Sequence, residues 1–112
     1  MCYNAFMDTL FGSNARTDVL VAVGRLGETY AAELGRVLGL RPTEVVRALS
    51  SLERSGVVAT KRLGNTRLVR LEPRYRAKDE LYALLLRLSE VPRYAGLWSK
   101  VRGRPRAIGK AL

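Results

Sequence analysis

The sequence predicts a mainly α-helical domain with one two-stranded β-hairpin, on three observations. Apolar residues recur at i, i+3, i+4 and i+7 in several separate stretches, which is helical spacing. Two strand-like runs, 57–63 and 66–71, are parted only by Gly64-Asn65, a two-residue hairpin signal. Gly39 followed by Pro42 marks a tight break between two helical stretches. The length agrees: 112 residues make one domain with a single modest core.

The elements follow in order. Tyr3, Phe6, Met7 and Leu10 form a helical stripe near the start of the sequence. Gly12 ends that helix, and Ser13 caps the next because its hydroxyl can accept an orphan N–H of the first turn. The second helix carries Ala15, Val19, Ala22, Val23 and Leu26 on one face, and Gly27 stops it. Glu28-Thr29-Tyr30 reads as a short polar and aromatic link, or a brief strand. Ala31, Leu34, Val37 and Leu38 mark a third, short helix that Gly39 ends. Pro42 opens a fourth, 42–55, at the position where its missing donor costs nothing. Val45, Ala48, Leu49 and Leu52 are its buried stripe, and Gly56 closes it. The hairpin 57–71 comes next. Residues 79–89 return to helical spacing with Leu81, Leu84, Leu85 and Leu88, while Tyr82 and Leu86 make this helix apolar on more than one face. Pro92 opens a last helix with Tyr94, Leu97, Trp98 and Val101 on one side. Residues 102–112 are basic and rich in Gly and Pro, the composition of a disordered tail. The domain is thus expected at 1–101, its core at about 12–90, with the tail at 102–112; no internal repeat interrupts it.

Composition narrows the function. Hydrophobic residues at 47% and charged residues at 27% are globular proportions. Twenty Lys+Arg against ten Asp+Glu give a net charge of +10, and a small domain so basic suits a polyanion, either nucleic acid or an anionic membrane surface. The excess begins at Arg41. Residues 1–40 hold three Arg against four acids, 41–76 nine basic residues against three acidic, and 77–112 eight against three. There is no histidine, hence no imidazole base and no His metal ligand. The lone Cys2 excludes an internal disulfide, a zinc cluster and a paired-thiol redox site. No run of about 18 apolar residues spans a membrane, and no signal peptide opens the sequence. A cytoplasmic protein without metal or cofactor is expected.

Helix, helix, turn, helix and a basic ribbon is the order of a winged helix-turn-helix, here flanked by N- and C-terminal helices suited to dimerisation. Gly35 is small where the two central helices cross, and Leu34, Leu38, Leu40, Val45 and Leu49 fill the core between them. The helix after such a turn enters a DNA major groove. Its outward positions are Thr43, Val46, Arg47, Ser50 and Arg54, with Arg41 beside them. Arg47 can reach guanine O6 and N7 or a phosphate, and Thr43 a thymine methyl or a base edge. On the hairpin, or wing, Lys61, Arg62, Asn65 and Arg67 can straddle phosphates or reach a minor groove. In the tail, Arg102-Gly103-Arg104-Pro105 matches the core of the AT-hook, in which two arginines fit a narrow AT-rich groove.

Several stretches resemble the ArsR/MarR-like winged-helix transcriptional regulators. Leu10-Phe11-Gly12-Ser13-Asn14-Ala15-Arg16 is similar to their start, and Gly27-Glu28-Thr29-Tyr30, Glu33-Leu34 and Gly39-Leu40 continue the match. Leu52-Glu53-Arg54-Ser55-Gly56-Val57-Val58 resembles their "LExxGLV" exit from the recognition helix, and Gly64-Asn65-Thr66-Arg67 their wing. The resemblance covers about residues 10–90. It implies a homodimer that binds promoter DNA and represses, with a metal or small-molecule effector in many members. Two departures stand out. The recognition and last helices lack the Cys and His ligands of metal sensors, and Arg41 stands where a serine often precedes the proline. That exchange forgoes an N-cap of about 1 kcal/mol and adds a cation beside the groove.

The expected function is therefore sequence-specific double-stranded DNA binding by a homodimeric repressor, its two recognition helices about 34 Å apart. Tyr3, Phe6, Met7 and Leu10 at one end, and Tyr82, Leu86, Tyr94 and Trp98 at the other, are the candidate dimer contacts. Two rivals remain: a basic winged-helix RNA-binding protein, and a DNA-binding adaptor or antitoxin working with a protein partner. An enzyme is not expected, because Glu28, Glu33, Glu44, Glu53, Glu72 and Glu80 are scattered and form no spaced carboxylate pair with a base.

Overall fold

A computed structural model describes residues 11–101. The stripe of Tyr3, Phe6, Met7 and Leu10 and the tail with Arg102 and Arg104 lie outside the described residues. The described elements are α1 (Asn14–Leu26), β1 (Glu28–Tyr30), α2 (Ala31–Leu38), α3 (Pro42–Arg54), β2 (Val58–Leu63), β3 (Thr66–Leu71) and α4 (Lys78–Leu88), followed by 3-10 turns at Pro92–Tyr94 and Leu97–Lys100.

α1 starts and stops where its punctuation says. The Ser13 hydroxyl accepts the Arg16 N–H at 3.2 Å, satisfying one orphan donor. Gly27 ends the helix at φ 80° and returns its N–H to the Val23 carbonyl. Between them, Thr17 and the unbroken run from Val19 to Gly24 are buried, far more than the single stripe the spacing predicts. The reason is position: α1 is the central helix, packed by α2, α3, α4 and the sheet. At Gly24 a β-carbon would stand 2.5 Å from the Leu85 Cβ, so α1 and α4 approach more closely than any side chain at that position permits.

The sheet corrects the expected two-stranded hairpin. β1 pairs antiparallel with β3, giving a three-stranded sheet in the order β1-β3-β2. Thr29 lies opposite Val69, and both are fully buried. The Thr29 hydroxyl donates to Glu33 Oε1 at 2.6 Å, which keeps two buried polar groups satisfied. Two strands alone are marginal in water. β1 closes an open edge of β3, and three residues are too short to display a strand period.

Two glycines shape the turn between α2 and α3. Gly39 takes φ 71° and ψ 31°, a left-handed conformation open to glycine. Its N–H and that of Leu40 both reach the Gly35 carbonyl. A β-carbon at Gly35 would meet the Leu40 oxygen at 3.2 Å. Leu34, Val45 and Leu49 fill the core here, while Leu38 and Leu40 are half-buried against it.

The last helix is also corrected. After α4 the chain makes two short 3-10 turns, because Ala95 is extended (ψ 131°) and Gly96 adopts φ 81°. The apolar spacing from Pro92 survives as packing: Tyr94 is buried, and Leu97 and Trp98 lie half-buried against the same core.

Candidate nucleic-acid interface

α3 presents its outer face because its inner one is held. Val45, Ala48, Leu49 and Leu52 are buried, and α1 is its largest partner. That leaves Arg41, Thr43, Val46, Arg47 and Arg54 exposed and Ser50 half-buried. Thr43, Val46, Arg47, Ser50 and Arg54, with Pro42, border one open depression of about 490 Å³. At the helix start Arg41 has no side-chain acceptor to offer. Glu44 compensates in part: its carboxylate accepts the Arg41 backbone N–H at 2.9 Å, the reach-back half of a capping box.

A second groove, of about 440 Å³, runs between the start of α1 and α3 and is bordered by Arg16, Arg47, Arg54 and Glu44. The Nε of Arg16 is buried and has no hydrogen-bond partner among the described residues. Three guanidinium groups against one carboxylate make this groove attractive to an anion.

The β2–β3 hairpin turns at Gly64-Asn65 with Leu63 opposite Thr66. Gly64 has φ 64°, and no described residue other than glycine has positive φ, the pattern of a II′ turn. Lys61, Arg62 and Asn65 are exposed. Arg67 behaves differently. It lies directly opposite Arg62, an unfavourable like-charge pair, and is drawn back to α3, its guanidinium donating to Glu53 Oε1 at 3.2 Å. The Thr60 hydroxyl donates to the other oxygen of Glu53 at 3.0 Å. Glu53 therefore braces the hairpin against the end of α3. Sequence reasoning missed this role, since Glu53 and Arg67 are joined only through the hairpin register.

The candidate dimer contacts also separate. Tyr82 is exposed and Leu86 half-buried on α4. Tyr94, by contrast, is 1% exposed and offers no surface to a second copy. Its hydroxyl donates to Asp18 Oδ1 at 2.9 Å, and Arg93 donates to both oxygens of the same carboxylate at 3.1 Å. Burial first, and then the Asp18 charge, pushes the Tyr94 phenol well above its ordinary range. Trp98 stacks on Tyr94 with ring centroids 5.9 Å apart and donates its indole N–H to the Ser89 carbonyl at 2.9 Å. Among the described residues, no group of three or more His, Cys, Asp or Glu side chains is placed to hold a metal ion, and no helix is long and apolar enough to cross a membrane.

No protein-family model matches the sequence, and no curated protein matches it. Solved structures do. A mutant of MarR from E. coli superimposes with a TM-score of 0.59 at 18% identity, over 98% of this chain and 81% of that one. Wild-type MarR from E. coli in its apo form gives 0.57 at 19% identity, over 96% of this chain and 80% of that one. A mutant MarR from E. coli complexed with operator DNA gives 0.56 at 19% identity, over 96% of this chain and 77% of that one. The chain has a MarR-like winged-helix fold, and the sequence resemblance and the three-dimensional likeness agree.

Proposed function

We propose that the protein is a sequence-specific double-stranded-DNA-binding transcriptional regulator, a homodimeric repressor acting in the cytoplasm. One observation carries the reading. The helix after the glycine turn exposes Arg41, Thr43, Val46, Arg47 and Arg54 on a single outer face, in a fold shared with a MarR structure that holds operator DNA. α3 lies in the major groove. Arg47 addresses a base edge or phosphate, and Lys61 and Arg62 on the hairpin take the flanking backbone. Arg67 acts mainly on the hairpin's angle, through Glu53. The dimer contact involves the face of α4 that carries Tyr82, 45% exposed, and Leu86 one turn on, together with Tyr3, Phe6, Met7 and Leu10. Arg102 and Arg104 in the tail add phosphate attraction. The protein is not an enzyme on this reading.

The test is selection from a random duplex library, followed by gel shifts on the enriched sequence and on structured RNA. Enrichment of an inverted repeat, bound far more tightly than RNA, is the expected result. Preference for RNA, or no enrichment, would sink the proposal. Light scattering at tens of micromolar should report a dimer; a monomer with and without DNA would remove the symmetric-operator model.

A further inference from the structure

Val46 is apolar at a place where the core has no use for it. The buried stripe of α3 runs through Val45, Ala48, Leu49 and Leu52, while Val46 stands 46% exposed. Valine is also a poorer helix former than alanine or lysine at an exposed position. Its isopropyl group sits on the rim of the open depression between Thr43 and Arg47, with Ser50 beside them. Two cations, Arg47 and Arg54, line the same depression, and Arg41 stands exposed at the start of the helix. A small apolar contact flanked by positive charge fits a polyanion that carries one protruding apolar group. In the DNA major groove that group is the C5-methyl of a pyrimidine.

We infer, resting on the DNA-binding reading above, that Val46 recognises the C5-methyl of a 5-methylpyrimidine, one per half-site. Thymine and 5-methylcytosine present the same methyl at the same place in the groove, and unmethylated cytosine and uracil present none. Arg47, the next residue along α3, fixes the neighbouring base or phosphate, and the Thr43 methyl group flanks the contact.

The experiment uses the full chain and random duplex libraries, one unmethylated and one methylated at cytosine C5. An invariant thymine enriched from the first library assigns the methyl to thymine; enrichment from the second library alone assigns it to 5-methylcytosine. On the enriched duplex, each methylated position is then replaced by its unmethylated counterpart, deoxyuridine for thymidine or cytosine for 5-methylcytosine. Removing one buried methyl should weaken binding about fourfold at one position per half-site. Val46→Ala should lose most of the discrimination between the methylated and unmethylated duplexes at that position, while keeping its preference elsewhere and a thermal midpoint at or slightly above that of wild type. The inference is overturned if no position in the enriched duplex responds to removal of its methyl, or if Val46→Ala keeps the wild-type ratio; in both cases DNA recognition itself stands. Should neither library enrich any sequence, the DNA-binding reading and this inference fall together.

Discussion

On the outer face of α3, Arg41, Arg47 and Arg54 stand exposed, with Lys61 and Arg62 on the adjoining hairpin. Around the two 3-10 turns, arginines are engaged inside the chain. Arg93 grips Asp18 through two nitrogens. Arg36 donates to the Lys100 carbonyl at 2.7 Å. Arg25 reaches the Ser89 hydroxyl at 3.3 Å and lies over the Trp98 ring at 5.7 Å. The difference shows that a net charge of +10 is not ten units of affinity for a polyanion. Part of the cationic content closes the end of the domain, where the apolar surface of Tyr94 and Trp98 needs polar partners at its rim. What sorts the two groups is the presence of a local acceptor: Asp18, Ser89 and backbone carbonyls at one site, and little beyond Glu44 at the other.

On that division, damage to the closing cluster should destabilise the protein without touching recognition. Asp18→Ala has the largest expected effect. It leaves the Arg93 charge and the buried Tyr94 hydroxyl without their shared acceptor, a loss of about 2–3 kcal/mol. Urea denaturation measures it, and DNA affinity extrapolated to the folded fraction should be unchanged.

Gly24→Ala comes next and tests the packing beneath. On an ordinary helix the change would stabilise by up to about 1 kcal/mol. Here the new methyl would meet Leu85 Cβ at 2.5 Å, so thermal unfolding should instead show a loss of about 1–3 kcal/mol. A gain would mean that α4 yields freely to α1.

Much of this arrangement is readable from the residues. Ser13, Gly27, Gly39 and Pro42 are local signals whose chemistry acts within one turn of helix, and each helix boundary they mark lies where they place it. The Gly64-Asn65 hairpin is equally local. What escapes is whatever depends on a distant partner. Residues 28–30 read as a link or a brief strand, but nothing local shows that they pair with β3, some forty residues on. The apolar periodicity after Pro92 shows which residues pack but not that Gly96 breaks the helix into 3-10 turns. Arg67 has the composition of a DNA-contacting residue, yet the hairpin register brings it to Glu53. Tyr94 has the spacing of a surface stripe, and Asp18 draws it inside.

A smaller effect sharpens the contrast through pH. The Tyr94 phenol is held neutral, its affinity for the proton raised by burial and by Asp18. The folded state thus binds this proton more tightly than the unfolded chain. Its contribution to stability is intact below the ordinary tyrosine value, about 10, and declines as pH rises above it, by up to about 1.4 kcal/mol per unit. Tyr94→Phe should cost about 1 kcal/mol at neutral pH and should lose less stability than wild type between pH 10 and 11. Parallel declines in the two proteins would place the titration elsewhere.

The smallest expected effect lies within the hairpin. Lys61→Ala or Arg62→Ala should each lower the slope of log affinity against log salt by about 0.9 for every phosphate the side chain had neutralised. Arg67→Ala, whose charge is engaged by Glu53, should change the slope much less. Equal changes for Arg62 and Arg67 would show that the Glu53 brace opens on DNA.

The most direct test pairs two substitutions that each remove one positive charge, Arg47→Ala from the α3 face and Arg25→Ala from the closing cluster. Both are read by fluorescence anisotropy on the selected duplex and on a random one at a single salt concentration. Arg47→Ala should lose about 1–3 kcal/mol on the selected duplex and little on the random one. Arg25→Ala should stay near wild type on both, since its guanidinium is engaged by Ser89 and the Trp98 ring and lines neither groove beside α3. Equal losses from the two substitutions would contradict the division of arginines between recognition and closure.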